Sequence, residues 1–237
     1  MDLLKQTKDL CKLYHIIPAR SKGQNFLIRE EIYNEMVAAA DLNSFDTVLE
    51  VGSGLGFLTA KLAARAGKVV AVELDDKLSG VLKTGLIARK IKNVEVVNED
   101  ILKISLDHYV NGAYKVVANL PYNITSIFLR KYLEAENKPE LMVLMLQKEV
   151  AERITAKPGK MSLLSVSVQF YARPEIIKLV PKEFFWPEPK VDSAIVKIIP
   201  RPDFLLSEEK EKDFFQLVKF GFSARRKMLK IILAGGF

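Results

Sequence analysis

Two short stretches of this 237-residue chain carry residue types that could do chemistry at the edge of a sheet. The first, "LEVGSGLGFLT" (49–59), sets Gly52, Gly54 and Gly56 between an apolar run and a helical pattern. Glycine permits a tight turn and lets a ligand lie against the backbone, while the helix that follows offers free N–H groups. The spacing G-x-G-x-G is one residue tighter than the dinucleotide fingerprint G-x-G-x-x-G, and taken alone it is also what a plain strand-to-helix turn would show. Glu73 ends the next strand and can accept both hydroxyls of a ribose. Asp100, in "NED" (98–100) after the third strand, can accept from an exocyclic adenine amine. Either acid alone reads as a solvated strand-end carboxylate. Three such features at successive strand ends converge on one crevice and favour a nucleoside cofactor.

The second stretch, "ANLPYNIT" (118–125), leaves the fourth strand at the same carboxyl edge. The side-chain oxygen of Asn119 and the backbone carbonyl of Leu120 can both accept hydrogen bonds from an exocyclic amine. Pro121 fixes the turn, and Tyr122 offers a ring on which a base can stack. In isolation the motif is a proline turn with a satisfied Asn and a core Tyr. Downstream of a glycine turn it reads as the acceptor half of an amine-modifying site. No strong base accompanies it, so the expected chemistry is alignment of a weakly nucleophilic nitrogen, with the proton leaving to water.

Such residues need a frame. Short β-branched runs, "TVLEV" (47–51), "VVAVE" (69–73), "VEVV" (94–97), "YKVVAN" (114–119) and "ELMVLML" (140–146), alternate with helix-length intervals. Strands apolar on both faces with helical crossovers make a doubly wound α/β sheet. A helix is expected over 161–172, then strands over 175–180 and 193–199. The Pro-rich "PKEFFWPEPKVD" between those strands has no room for a crossover helix, so they should pair antiparallel. Beyond Pro200 the composition shifts to two helical patterns, over 207–222 and 223–233. This predicts a main domain over 1–200 and a small helical subdomain over 201–237.

Composition narrows the classes. Apolar residues make up 49% of the chain, enough for a real core, and the N-terminal stretch scatters charges through any would-be leader. A single cysteine, Cys11, excludes an internal disulfide, while two distant histidines, His15 and His108, argue against a zinc site or a histidine triad; no metal is expected. The formal charge of +7 is concentrated at the two ends. Arg20 with Lys22, and Arg225, Arg226 and Lys227, form basic clusters suited either to RNA phosphates or simply to solvent. The protein is expected to act in the cytoplasm as a monomer, without a membrane.

The motifs "SKGQNFL" (21–27), "LEVGSGLGFLT", "AVELD" (71–75), "NEDIL" (98–102), "ANLPYNITSIFL" (118–129), "LMLQKEVAERI" (144–154), "FFWPEPKVDSAIV" (184–196) and "FSARRKMLK" (222–230) occur in the order seen in the ribosomal RNA adenine dimethyltransferases. The resemblance covers nearly the whole chain. "KVDS" with "NLPY" is more similar to the small-subunit branch than to the erythromycin-resistance methylases of the large subunit. It implies a class I, Rossmann-like, seven-stranded methyltransferase sheet with a helical C-terminal subdomain, and S-adenosyl-L-methionine as cofactor. The implied reaction dimethylates N6 of two adjacent adenosines near the 3′ end of small-subunit rRNA, free or in an immature subunit.

By the same resemblance, Asn25, Leu27, Gly52, Glu73, Asp100 and Asn119 hold the cofactor, and Phe185 sandwiches the target adenine opposite Tyr122. From the residues alone, Asn25 and Leu27 read as a packed N-terminal turn, and Phe185 as a core side chain. Two features depart from the pattern. Lys22 stands where the family has an apolar residue before Gly-Gln-Asn. A chain ending at Phe237 leaves about two helices for a usually longer subdomain, as a truncated or a minimal natural form. A large-subunit rRNA adenine N6-methyltransferase of the erythromycin-resistance type, a DNA amino-methyltransferase, and a non-catalytic RNA-binding assembly or transcription factor on the same fold are the competing readings.

Overall fold

In the computed structural model, which describes residues 2–19, 23–201 and 206–223, the apolar runs of the sequence form one seven-stranded sheet with helices on both faces. The chain opens with α1 (Leu3–Leu13), whose first turn is capped by the Asp2 carboxylate accepting from the Leu4 and Lys5 amides. It continues through β1 (Phe26–Leu27), α2 (Glu30–Ala39), β2 (Thr47–Val51), α3 (Phe57–Ala63), β3 (Lys68–Val72), α4 (Asp76–Ala88) and β4 (Val94–Val97). The second half runs through β5 (Lys115–Asn119), α5 (Thr125–Leu133), β6 (Leu141–Gln147), α6 (Lys148–Ile154), α7 (Leu163–Tyr171), β7 (Ala172–Val180), β8 (Phe185–Trp186), β9 (Ser193–Pro200) and α8 (Glu208–Ser223).

The sheet order is β4-β3-β2-β5-β6-β9-β7. The first five strands in that order are parallel, and β9 runs antiparallel to both β6 and β7. Central strands such as β6 are buried at nearly every residue because helices cover both faces, which is why they read as unbroken apolar runs. One core, around Phe128, Tyr132, Leu144 and Val196, lies on one face; a second, around Leu27, Met36, Leu82 and Ile195, lies on the other. Among the described residues no helix is long and apolar enough to cross a membrane.

The antiparallel pairing of β7 with β9 is as the sequence predicts, but β7 starts at Ala172, three residues early. It does so despite Pro174, because β7 is an edge strand, where a missing N–H need cost no ladder bond. A two-stranded sheet pairs Phe26 with Trp186 and Leu27 with Phe185, and was not expected from sequence. It ties the N-terminal motif to the proline-rich connection. Beyond Pro200, α8 packs Phe214 and Phe215 onto Phe170 and Tyr171 of α7, with the Phe170 and Phe214 rings stacked at 4.6 Å. The second basic helix expected over 223–233 falls beyond Ser223, outside the described residues.

Chain order places the site. From β2 the chain moves outward through β3 to β4, then returns to the other side of β2 with β5 and continues outward to β6. The connections therefore diverge at the carboxyl ends of β2 and β5, which opens a crevice there. The turn after β2 ends at Gly56, the N-cap of α3, with φ of +78°, and a Cβ there would fall 2.5 Å from Cδ1 of Leu82 on α4. Gly56→Ala is expected to destabilise the fold by about 1–3 kcal/mol through strain and that contact. Thermal melting measures it, and an unchanged midpoint would show that the turn does not need glycine.

Candidate active site

The glycine turn and the Asn119–Tyr122 turn meet directly. Gly52 has φ of +70°, and a Cβ on it would stand 3.4 Å from Cδ of Pro121 and 3.6 Å from the Asn119 carbonyl oxygen. The N-terminal motif closes over the same point. The space where a Cβ on Gly23 would sit is 3.5 Å from both Cβ of Pro121 and the Tyr122 amide nitrogen, and Nδ2 of Asn119 donates to the Asn25 carbonyl at 3.5 Å. Leu27 is fully buried, and its carbonyl accepts from the Tyr33 hydroxyl at 2.9 Å.

Between these turns lies a cavity of about 230 Å³. The sequence-predicted residues Asn25, Leu27, Gly52, Gly54, Glu73, Asp100, Asn119 and Pro121 all line it. Gly56 stands just behind them as the cap of α3. Glu73 is 7% exposed, and its two oxygens accept from the Gly54 amide at 2.8 Å and the Asp75 amide at 2.9 Å. Burial raises its pKa, and those amides oppose the rise. Asn98 donates to the Glu73 carbonyl at 2.9 Å, so the ends of β3 and β4 are stitched together. Oδ1 of Asp100 accepts from the Leu102 amide at 3.0 Å.

Besides Gly56, three expected site residues lie outside the cavity lining. Leu120 is buried at the end of β5, and Tyr122 bonds through its hydroxyl to Oγ of Ser193 at 2.7 Å. Phe185 is 2% exposed, its ring in the second core and its backbone paired with Leu27. Arg20, Lys22, Arg225, Arg226 and Lys227 lie outside the described residues.

The model of the ribosomal RNA adenine dimethylase family matches residues 19–235. The chain belongs to that family. Ribosomal RNA small subunit methyltransferase A of Dehalococcoides mccartyi is 48% identical over 236 residues, covering 99% of this chain and 80% of that protein. The protein of the same name from Alkaliphilus oremlandii is 40% identical over 239 residues, covering 98% and 83%. Among solved structures, a dimethyladenosine transferase from Plasmodium falciparum superposes with a TM-score of 0.78 at 32% identity, over 88% of this chain and 74% of that one. The 23S rRNA methyltransferase ErmE gives 0.77 at 30% identity, over 90% and 85%. A dimethylase needs a methyl donor.

For this dimethylase the sequence reading missed Glu50, on β2. It lines the cavity, is almost wholly buried, and its Oε2 has no hydrogen-bond partner. Burial pushes its pKa up to about 8; the Glu73 charge adds to the rise, while the nearby hydroxyls of Thr59 and Ser53 oppose it without reaching hydrogen-bonding geometry. The signal was present in "TVLEV": an acid inside an apolar strand must find a partner or stay protonated.

Between pH about 4.5 and about 8 the folded protein therefore holds a proton that the unfolded chain releases, so stability falls as pH rises through that window. Glu50→Gln is expected to flatten the fall, leaving a smaller slope from Glu73, which is shifted the same way. Urea unfolding midpoints of the two proteins across the window measure this. An identical slope in both would show that Glu50 is ionised in the fold.

Proposed function

We propose that the enzyme transfers methyl groups from S-adenosyl-L-methionine to N6 of two adjacent adenosines in a hairpin loop near the 3′ end of small-subunit ribosomal RNA. The observation that carries the cofactor reading is the charge of the cavity. Glu50, Glu73, Asp75, Glu99 and Asp100 line it, and no Lys or Arg does among the described residues. A glycine turn without a cation beside it is poorly suited to a pyrophosphate and well suited to a nucleoside that carries positive charge. The unpartnered Glu50 Oε2 and Ser53 Oγ give the same cavity polar groups still in need of a ligand.

On this reading the Glu73 carboxylate accepts from the ribose, Asp100 from the adenine amine, and the backbone around Asn25, Leu27, Gly52, Gly54 and Gly56 closes on the remainder. When bound, the cofactor supplies an electrophilic methyl group on a sulfonium. Asn119 and the Leu120 carbonyl accept from the target amine and hold its nitrogen toward that methyl, a task of orientation rather than of proton removal. An amide side chain cannot take up the proton, which leaves to water. Pro121, at φ of −57°, fixes the turn that presents both acceptors. Tyr122 and Phe185 are assigned to stacking on the unpaired base, worth about 1–3 kcal/mol per ring. For Phe185, 2% exposed, that role requires the ring to turn out of the core.

We assign residues 1–200 to the methyltransferase domain and 201–237 to the helical subdomain, with rRNA phosphates meeting Arg20, Lys22, Arg225, Arg226 and Lys227. The protein is inferred to act as a cytoplasmic monomer. The likeness to ErmE keeps the large subunit as the competing substrate.

Nucleoside mass spectrometry after incubation with the cofactor and either unmethylated small or large subunits separates the two. N6,N6-dimethyladenosine is expected in the small-subunit RNA alone; product only in the large would reverse the assignment. Asn119→Ala is expected to lower turnover by about 100-fold or more while changing cofactor affinity only a few-fold, because its proposed bond matures in the transition state. Single-turnover rates and calorimetric titration give the two numbers, and equal losses in both would remove Asn119 from the chemical step.

A further inference from the structure

Asp100 sits on a loop whose shape is not set by the sheet. The turn after β4 folds around that residue: the Lys103 and Ile104 amides donate to its carbonyl at 2.8 and 3.0 Å, and the Leu102 amide donates to its carboxylate. Three carbonyls of this turn then point at one ammonium group. Nζ of Lys131, on α5, donates to the carbonyls of Ile101, Leu102 and Ile104 at 3.1, 3.0 and 3.1 Å. An ammonium has three N–H donors, and all three are used here. The neighbouring Tyr132 hydroxyl adds a bond to the Ile101 carbonyl at 3.1 Å.

We propose that Lys131 is a positioning residue for the adenine end of the cofactor pocket, holding the 101–104 turn so that Asp100 faces the exocyclic amine. The inference rests on the cofactor reading above. It explains why a lysine about thirty residues from the loop is partly buried beside backbone rather than extended into solvent. The ammonium also lies within electrostatic reach of the Asp100 carboxylate, whose charge offsets the downward pull of burial on the lysine. Residues 99–101 line the cavity, so a shift of the turn is felt at the ligand. α5 begins at Thr125, directly after the Asn119–Ile124 segment, so one rigid element carries the amine-acceptor turn at its start and the clamp on the adenine loop near its end. Without the ammonium, the Ile101 carbonyl keeps the Tyr132 hydroxyl but those of Leu102 and Ile104 lose the Lys131 donor, and the turn must open for them to reach water.

Selectivity for the exocyclic amine distinguishes positioning from general support of the fold. S-adenosylhomocysteine and its hypoxanthine analogue, in which that amine is replaced by an oxo group, are titrated calorimetrically into wild type, Lys131→Met, Lys131→Arg, Asp100→Asn and the Lys131→Met/Asp100→Asn double variant. Wild type is expected to prefer the adenine compound by about tenfold or more, the scale of a hydrogen bond to a charged acceptor. Asp100→Asn should abolish or reverse that preference, Lys131→Met should reduce it several-fold, Lys131→Arg should recover part of it, and the double variant should match Asp100→Asn. If Lys131→Met does not fold, Lys131→Gln, which keeps one kind of donor, carries the comparison. The proposal is overturned if Lys131→Met keeps the wild-type preference or weakens both compounds equally, or if Asp100→Asn leaves selectivity intact. Wild-type protein that binds neither compound would instead bring down the cofactor reading, and the inference with it.

Discussion

Pro121 packs against the bare α-carbon of Gly52, and the site depends on that contact. The turns that follow β2 and β5 leave neighbouring parallel strands, paired through Val48 with Lys115 and Leu49 with Val116, so the ladder sets their starts side by side although their connections run in opposite directions. They meet where the proline face of one lies over Gly52 of the other. A methyl group at Gly52 would meet Cδ of Pro121 at an ordinary contact distance of 3.4 Å, so glycine is required there by the backbone φ of +70° and not by lack of room. The N-terminal segment then covers the joint, with Gly23 against Pro121 and the Asn119 amide bonded to Asn25. Three sequence motifs separated by many residues thus share one wall, and the short pairing of β1 with β8 holds the cover to the sheet's far edge.

The electrostatics of that wall are asymmetric by construction. Both oxygens of Glu73 are met by backbone N–H groups, which offset part of the cost of its burial. Glu50 has no such provision, and its strand position leaves it beside Glu73 with a raised pKa. A fold under selection for stability alone would place an apolar side chain at that point of β2. The acid is a local conflict between strand and site, and such conflicts are where function tends to reside. The clamp of Lys131 on the 101–104 turn is the opposite case. There a charged group is fully used within the protein, and its effect on the cavity passes through backbone.

Much of this was legible from residue order. The parallel strands are buried on both faces and read as apolar runs, and the glycines and the Asn-Leu-Pro-Tyr segment mark strand ends by residue types that strands do not otherwise keep. The start of β7 was not legible, because Pro174 is a breaker everywhere except at an edge, and edge position is a property of the assembled sheet. The pairing of β1 with β8 joins two residues to two across some 160 positions, too short for any periodicity to show. Glu50 was visible as an acid in an apolar run, whereas Lys131 was not: on a helical pattern it is one more solvent-facing lysine until the loop it meets has been folded. The buried ring of Phe185 is what the residues alone predict, a core side chain, whereas its pairing with Leu27 was not visible.

The acidic lining of the cavity bears on the end of the reaction as well as on its start. On the proposed cofactor reading, methyl transfer moves positive charge off the donor's sulfur, so a wall of carboxylates would hold the donor more tightly than what is left of it. Burial of Glu50 sharpens the difference, since a neighbouring cation favours its ionised form and loss of that cation lets it take back a proton. An enzyme that dimethylates an adenine must exchange its spent donor between transfers. A pocket that weakens its own grip at the moment of transfer would allow that exchange without a separate opening motion.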